Sequence, residues 1–282
     1  MMPTLATLAP RSYLFVPGDR PERFDKACGA GADAVIVDLE DAVAPGAKSS
    51  ARQHLLAWLD GAGRTAATPL YVRINAAGSS WFEADLALCR HAGVAGIVLP
   101  KAEQVADLQA VAAAGARTIL PLVESALGLW NALALCQVPQ VERLVFGSID
   151  FAADLSLRES RESLLHARSQ LVLAARVAGI GAPVDGVTLA IDDAAQVHSD
   201  TVHARGLGFG AKLCIHPKQV AAVHAALLPT PEELAWAQRV QAAFHCGGGA
   251  AVAVDGKMVD GPVLLLAQKL LVESTRRGGF ET

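Results

Sequence analysis

Ile119-Leu120-Pro121-Leu122-Val123-Glu124, followed after one helix-length by Leu144-Val145-Phe146-Gly147-Ser148-Ile149-Asp150, decides how this chain reads. Each stretch is a short apolar run without alternation, as a strand covered on both faces of a parallel sheet requires. An acid stands just beyond each: Glu124 after the first and Asp150 after the second. Carboxylates at successive strand ends can chelate one divalent cation between them, leaving room for water and a small oxygen-rich ligand.

Working outward, apolar runs of the same kind lie at 13–16, 34–39, 70–74, 96–99, 118–123, 144–147, around 183–184 and at 211–215, with helical stretches between. Eight β/α units predict an α/β chain folded as a (β/α)8 barrel. The seventh run, in Gly179-Ile180-Gly181-Ala182-Pro183-Val184-Asp185, reads equally as a loop, which keeps an open doubly wound sheet as the alternative. Residues 52–59 and 166–177 carry one polar and one apolar side, as helices covering a barrel do. The strand ends read Pro17-Gly18-Asp19-Arg20, Glu40-Asp41, Arg73-Ile74-Asn75, Pro100-Lys101, Glu124-Ser125, Ser148-Ile149-Asp150, Asp185 and His216-Pro217. Chemistry in such barrels gathers at that face. The barrel is expected over 1–228.

An extension follows over 229–282. Thr230, Pro231 and Glu233 spell an N-cap, a first helical position and a capping box. Cys246-Gly247-Gly248-Gly249 reads as a hinge, 250–254 as an extended piece, Asp255-Gly256 as a turn and 262–274 as a last helix. This tail exceeds what closure of a barrel needs, and it is expected to lie over a barrel mouth, its own or a neighbour's.

Composition narrows the function classes. The 282 residues are 52% hydrophobic and only 5% aromatic, so the core is built from Ala, Val, Leu and Ile, as buried parallel strands need. A net charge of −4 supplies no basic footprint for nucleic acid or anionic membrane. The five cysteines (Cys28, Cys89, Cys136, Cys214, Cys246) form no CxxC pair, which fits a reducing cytoplasm. No apolar run has the length of a membrane span, and the first ten residues lack the pattern of a signal peptide.

Glu124 and Asp150 are the leading metal ligands, and an oxygen-only pair favours Mg²⁺ over Zn²⁺. Each carboxylate otherwise caps the helix after its strand, and Asp154 takes a lesser role than Asp150. Arg73 is placed to clamp a carboxylate through two parallel hydrogen bonds, or to form an ion pair with Glu40 or Asp41. Asp38, Glu40 and Asp41 cannot all face solvent, so at least one is paired inside the mouth; Glu40 either orders a water beside the cation or belongs to a framework with Arg73 or Lys101. Lys101 offers a Schiff-base mechanism as a competitor, with an ion-pair role favoured. His216 reads as a structural donor ahead of a general base.

These residues together resemble the citrate lyase β-subunit-like family of the HpcH/HpaI aldolase and citrate lyase superfamily, which includes malyl-CoA and citramalyl-CoA lyases. The matching pieces run in order along nearly the whole chain: Phe15-Val16-Pro17-Gly18-Asp19-Arg20-Pro21, Asp38-Leu39-Glu40-Asp41, Val72-Arg73-Ile74-Asn75, Leu99-Pro100-Lys101, Val123-Glu124-Ser125-Ala126, Gly147-Ser148-Ile149-Asp150-Phe151, Gly208-Phe209-Gly210-Ala211-Lys212 with Ile215-His216-Pro217, and Asp255-Gly256-Lys257-Met258-Val259-Asp260. The resemblance implies Mg²⁺ held by Glu124 and Asp150, and Arg73 on the carboxylate of a 2-oxo acid, with Glu40 as a further catalytic group. Ser125, standing where threonine is usual, would touch substrate, and Arg20 and Lys26 would approach the CoA moiety. It also implies that Asp260 reaches a neighbouring subunit's site as acid or base, in a homotrimer or hexamer. The implied reaction splits a 3-hydroxyacyl-CoA into an acyl-CoA and a 2-oxo acid. The alternatives are a malyl-CoA-type thioesterase, a β subunit working among citrate lyase subunits on an acyl carrier protein, and a metabolite-binding regulatory barrel.

Overall fold

The structure is a computed structural model that describes residues 9–61, 66–246 and 251–278. Eight parallel strands close into a barrel: β1 (Ser12–Pro17), β2 (Ala34–Asp38), β3 (Leu70–Arg73), β4 (Gly96–Leu99), β5 (Ile119–Val123), β6 (Val145–Phe146), β7 (Val184–Asp185) and β8 (Ala211–Cys214). Closure is made by β1 on β8, where Ser12 pairs with Lys212 and Leu14 with Cys214. The open-sheet alternative is therefore excluded. The doubtful seventh run is a strand, but a two-residue one, joined to β6 through Val145 and Val184.

Period-two alternation sorts each strand between two cores. Tyr13, Ile36, Tyr71, Val98, Leu120, Leu122, Val184 and Leu213 fill the barrel interior, with Tyr13 and Tyr71 meeting edge to face at 5.5 Å. Their neighbours Leu14, Val35, Val37, Val72, Ile97 and Ile119 face outward, onto covering helices such as Lys48–Asp60, Val105–Ala113 and Leu165–Ala178. This two-sided burial is why the strands read as unbroken apolar runs. The inward register continues past the hydrocarbon: Asp38 follows Ile36 and Arg73 follows Tyr71, so the pleat that packs the core also aims these charges into the mouth.

The chain divides into two compact units, one of Pro10–Leu227 and a second that begins at Leu228. In the second, helices Pro231–Cys246 and Gly261–Gly278 share a small core of Ala237, Val240, Val254, Val259 and Ala267. The first of these helices opens on the reciprocal capping box expected: Thr230 N donates to Glu233 Oε2 at 2.8 Å, and Glu233 N to Thr230 Oγ1 at 3.1 Å. Between the helices, Val252–Val254 and Lys257–Val259 pair antiparallel across an Asp255-Gly256 turn whose residues both have positive φ, 51° and 75°. Arg239 pins that turn through Asp255 at 2.7 Å. The glycine hinge expected at 247–249 lies outside the described residues. Among those described, no helix is long and apolar enough to cross a membrane.

Candidate active site

A cavity of about 400 Å³ occupies the carboxyl-terminal mouth of the barrel, with Asp38, Arg73, Glu124, Asp150, Phe15 and Phe146 on its walls. The sequence-predicted residues Glu124, Asp150 and Arg73 are thus brought together on one cavity. Ser125, Arg20 and Lys26 are placed elsewhere in the barrel unit, and Asp260 belongs to the second unit.

Glu124 is buried just past β5, and its Oε1 accepts a hydrogen bond from the Lys101 backbone N–H at 2.7 Å. Lys101 sits at φ 48°, a left-handed conformation that costs a non-glycine residue about 1 kcal/mol or more and is held here by that bond. Room for the Glu124 side chain comes from Gly147 at the end of β6: a Cβ there would lie 2.7 Å from Glu124 Oε2. Asp150 is exposed, in the first turn of helix Ser148–Asp154. It therefore favours that helix's dipole as well as facing the cavity. Burial first, then the charges of Glu40 and Asp150, push Glu124 up to about 8.

Arg73 makes more ion pairs than the sequence suggested. Its Nε and Nη2 donate to Asp38 Oδ1 and Oδ2 at 2.7 and 2.6 Å, a bidentate pair. Nη1 lies 3.0 Å from Glu40 Oε2 and donates to Asp41 at 3.3 Å, and the guanidinium stacks 5.0 Å over Phe15. Burial works against its charge, but Asp38, Glu40 and Asp41 more than offset this and hold it protonated. Sequence reading named Glu40 and Asp41 as partners and missed Asp38; the signal was the pleat, which puts Asp38 on the inward side beside Arg73 in register. Asp38 also accepts from the backbone of Glu40 and Ala42, at 2.8 and 3.0 Å, and so shapes the loop that carries Glu40.

Glu40 belongs to a framework with Arg73 and Lys101, whose Nζ donates to Glu40 Oε1 at 2.8 Å. Burial nevertheless raises Glu40 above the usual carboxylate range. Its Oε2 is buried with no hydrogen-bond donor among the described residues, balanced only by the nearby Arg73 charge. A second lysine, the buried Lys48, donates to the carbonyls of Leu39 and Glu40, both at 2.9 Å, and fixes the same loop from behind.

The hydroxyl of Ser125 is engaged on both sides. It donates to Glu103 at 2.6 Å and accepts from Gly128 N at 3.1 Å, capping helix Ala126–Trp130. That cap is Ser125 and not Glu124, so the carboxylate is left to the cavity. Asp154 accepts from Ala126 N at 2.8 Å, a role in joining two loops. His216 caps the short helix Pro217–Gln219, its Nδ1 accepting from Lys218 N at 3.2 Å, a structural role but as an acceptor where a donor was expected. Arg20 and Lys26 are exposed, in the loop after β1 and in helix Phe24–Cys28. Asp260 precedes helix Gly261–Gly278, where its carbonyl accepts from Leu264 N at 2.9 Å.

The donor set fits one hard divalent cation. Burial, and after it the charges of Glu40 and Asp150, drive Glu124 toward protonation, which is what a positive charge beside these carboxylates would relieve. Among the described residues no group of three or more His, Cys, Asp or Glu is arranged to hold a metal.

Fold and mouth define a (β/α)8 barrel with an acidic cavity at the carboxyl ends of its strands. A model of the HpcH/HpaI aldolase/citrate lyase family matches residues 11–217. The chain is 38% identical to a citrate lyase subunit beta-like protein of Deinococcus radiodurans, over 93% of this chain and 96% of that one. It is 35% identical to a (3S)-malyl-CoA thioesterase of Cereibacter sphaeroides, over 96% of both. Its fold is similar to that of protein CitE from Mycobacterium tuberculosis in complex with magnesium, acetoacetate and coenzyme A, with a TM-score of 0.83 at 36% identity, covering 94% of this chain and 98% of that one. The chain belongs to the HpcH/HpaI aldolase/citrate lyase family, and it is an enzyme of that lyase family.

Proposed function

We propose that the protein is a Mg²⁺-dependent lyase that cleaves a 3-hydroxyacyl-CoA bearing a carboxylate on its hydroxylated carbon, giving an acyl-CoA and a 2-oxo acid. The observation that carries this is the meeting of Glu124, Asp150 and Arg73 on one cavity at the barrel mouth. The magnesium and coenzyme A of the similar CitE structure support it.

Glu124 and Asp150 would hold the cation, with no third protein ligand. When bound, Mg²⁺ supplies Lewis-acid polarisation of substrate oxygens and neutralises developing negative charge. Arg73, kept rigid by Asp38, presents its charge to the substrate carboxylate from the cavity wall. Glu40, held by Lys101 on its side chain and by Lys48 on its carbonyl, would receive the proton that leaves the hydroxyl. The bond between the hydroxylated carbon and the carbon next to the thioester then breaks. Its electron pair passes to the thioester as an enolate, and Asp260 of another subunit would return a proton to that carbon. Arg20 and Lys26, on the barrel face after β1, would meet the CoA phosphates. The homotrimer or hexamer this requires, the cytoplasmic setting and the division of labour between 1–228 and 229–282 belong to the same proposal.

A thioesterase is the second reading, and the 35% identical (3S)-malyl-CoA thioesterase favours it. The same site would then direct water at the thioester and release CoA thiol. One experiment separates the two: malyl-CoA, citramalyl-CoA and citryl-CoA are offered to the purified chain with Mg²⁺ or EDTA, and oxo acid and free thiol are followed together. Metal-dependent oxo acid without thiol is expected, whereas thiol release would replace the lyase by the thioesterase. Glu124→Gln and Asp150→Asn should abolish the metal-dependent signal, and Asp260→Ala should lower turnover while leaving Mg²⁺ affinity unchanged.

A further inference from the structure

We infer that Ile149 and Val187 form a wall that sets the size of the substituent on the substrate's hydroxylated carbon, in front of a polar compartment large enough for an additional carboxylate arm. This rests on the lyase reading above and names the specificity of the same site.

A second cavity, of about 320 Å³, lies behind the barrel rim, between β7–β8 and helices Leu165–Ala178 and Ala194–Leu207. Ile149 and Val187 line both this compartment and the mouth cavity. Ile149 comes from the first turn of helix Ser148–Asp154 after β6 and Val187 from the loop after β7, where the backbone is drawn tight. A Cβ on Gly186 would lie 2.6 Å from Ser148 Oγ and 3.0 Å from the Phe146 carbonyl, so the two loops abut and the partition is left to these two aliphatic side chains. Ser148, on the mouth side, donates to Glu159 on the far side at 3.3 Å and ties the rim across the seam.

The compartment behind is chemically unlike a packing defect. Three cations, Arg161, Arg168 and Lys212, line it against two acids, Glu159 and Asp200, and His203 Nε2 is buried without a hydrogen-bond partner among the described residues. Arg161 is half exposed and its guanidinium is held at the compartment by Ser199 at 2.7 Å and by an ion pair with Asp200 at 3.2 Å. An unpartnered ring nitrogen and a guanidinium facing one polar space suit a carboxylate. With the wall in place, the mouth admits hydrogen or methyl on the reacting carbon; with it removed, a carboxymethyl arm gains both volume and a partner.

The test compares kcat/KM for malyl-CoA, citramalyl-CoA and citryl-CoA in the wild type, Ile149→Ala and Val187→Ala, alongside calorimetric affinities of the same thioesters in Mg²⁺. The wild type should prefer hydrogen or methyl, and each variant should raise the citryl-to-malyl ratio at least tenfold, about the effect of one methylene in a pocket. Adding Arg161→Ala to Ile149→Ala should erase most of that gain. A citryl-to-malyl ratio within twofold of wild type in both variants, or a wild type that already prefers citryl-CoA, would overturn the wall. Absence of oxo acid from every thioester in the wild type would instead overturn the lyase reading, while the affinity ratios still decide the wall.

Discussion

Gly147 and Glu124 are packed against each other so closely that the glycine has no room for a methyl group: its Cβ would stand 2.6 Å from Glu124 Cβ and 2.7 Å from Oε2. The end of β6 thereby positions the carboxylate at the end of β5. Gly147→Ala should displace Glu124 without removing a charged group, weakening Mg²⁺ binding roughly 10–100-fold, as loss of support around a ligand does. Magnesium titration by calorimetry measures this, and an unchanged affinity would show that Glu124 is not a ligand.

Arg73→Met would leave Asp38 buried without its bidentate partner. Removing one member of such a pair costs about 3–5 kcal/mol, most of it the stranded charge. Asp38→Asn added to Arg73→Met should return a large part of that stability, while turnover stays lost if Arg73 holds substrate. Denaturant unfolding of the single and double variants gives the coupling; strict additivity would contradict the pair.

Lys101 should not form a Schiff base. Its hydrogen bond to Glu40, ahead of opposing burial, raises its pKa and keeps the amine protonated. Borohydride reduction in the presence of pyruvate should therefore leave the protein mass unchanged; a covalent adduct at Lys101 would restore the competing mechanism.

A buried triad away from the mouth makes the pH prediction. Asp185, opposed by burial but bound by Lys212 Nζ and Arg168 Nε, both at 2.9 Å, has its pKa lowered below the usual ~4. A carboxyl depressed on folding stabilises above its unfolded pKa and loses that contribution as pH falls through the folded value. Asp185→Asn should thus cost roughly 3–5 kcal/mol at neutral pH, a gap that closes progressively below pH ~4. Urea unfolding of both forms from pH 7 to 3 reads it, and a gap independent of pH would contradict the ion pairing.

The barrel was legible because its strands are buried on both faces, which removes alternation and leaves compact apolar runs such as 34–39. Around 183–184 the signal faded for a physical reason: β7 has two residues set among Gly181, Pro183 and Gly186, whereas the equally short β6 is led in by the apolar Leu144. In the mouth, Glu124, Asp150 and Arg73 were visible as charges at strand ends. Asp38 was visible as an acid but not as the chief partner of Arg73, since only the parallel register sets the two side by side. Ser125 illustrates the opposite limit. The family resemblance implies that its hydroxyl touches substrate, and the local fold also uses that hydroxyl to cap the helix beginning one residue later. The sequence shows that helix only as a short apolar stretch.

Val145 and Val184 are the one register pair recorded between β6 and β7. A cylinder stitched so lightly at one seam has, at that seam, a place where descendants of the gene can lengthen, shorten or reshape the adjoining loops without unpicking the other seven joins. The loops that leave this seam carry Asp150 on one side and Val187 on the other. Divergence between sister enzymes would then accumulate there, and the rest of the barrel would be inherited nearly intact.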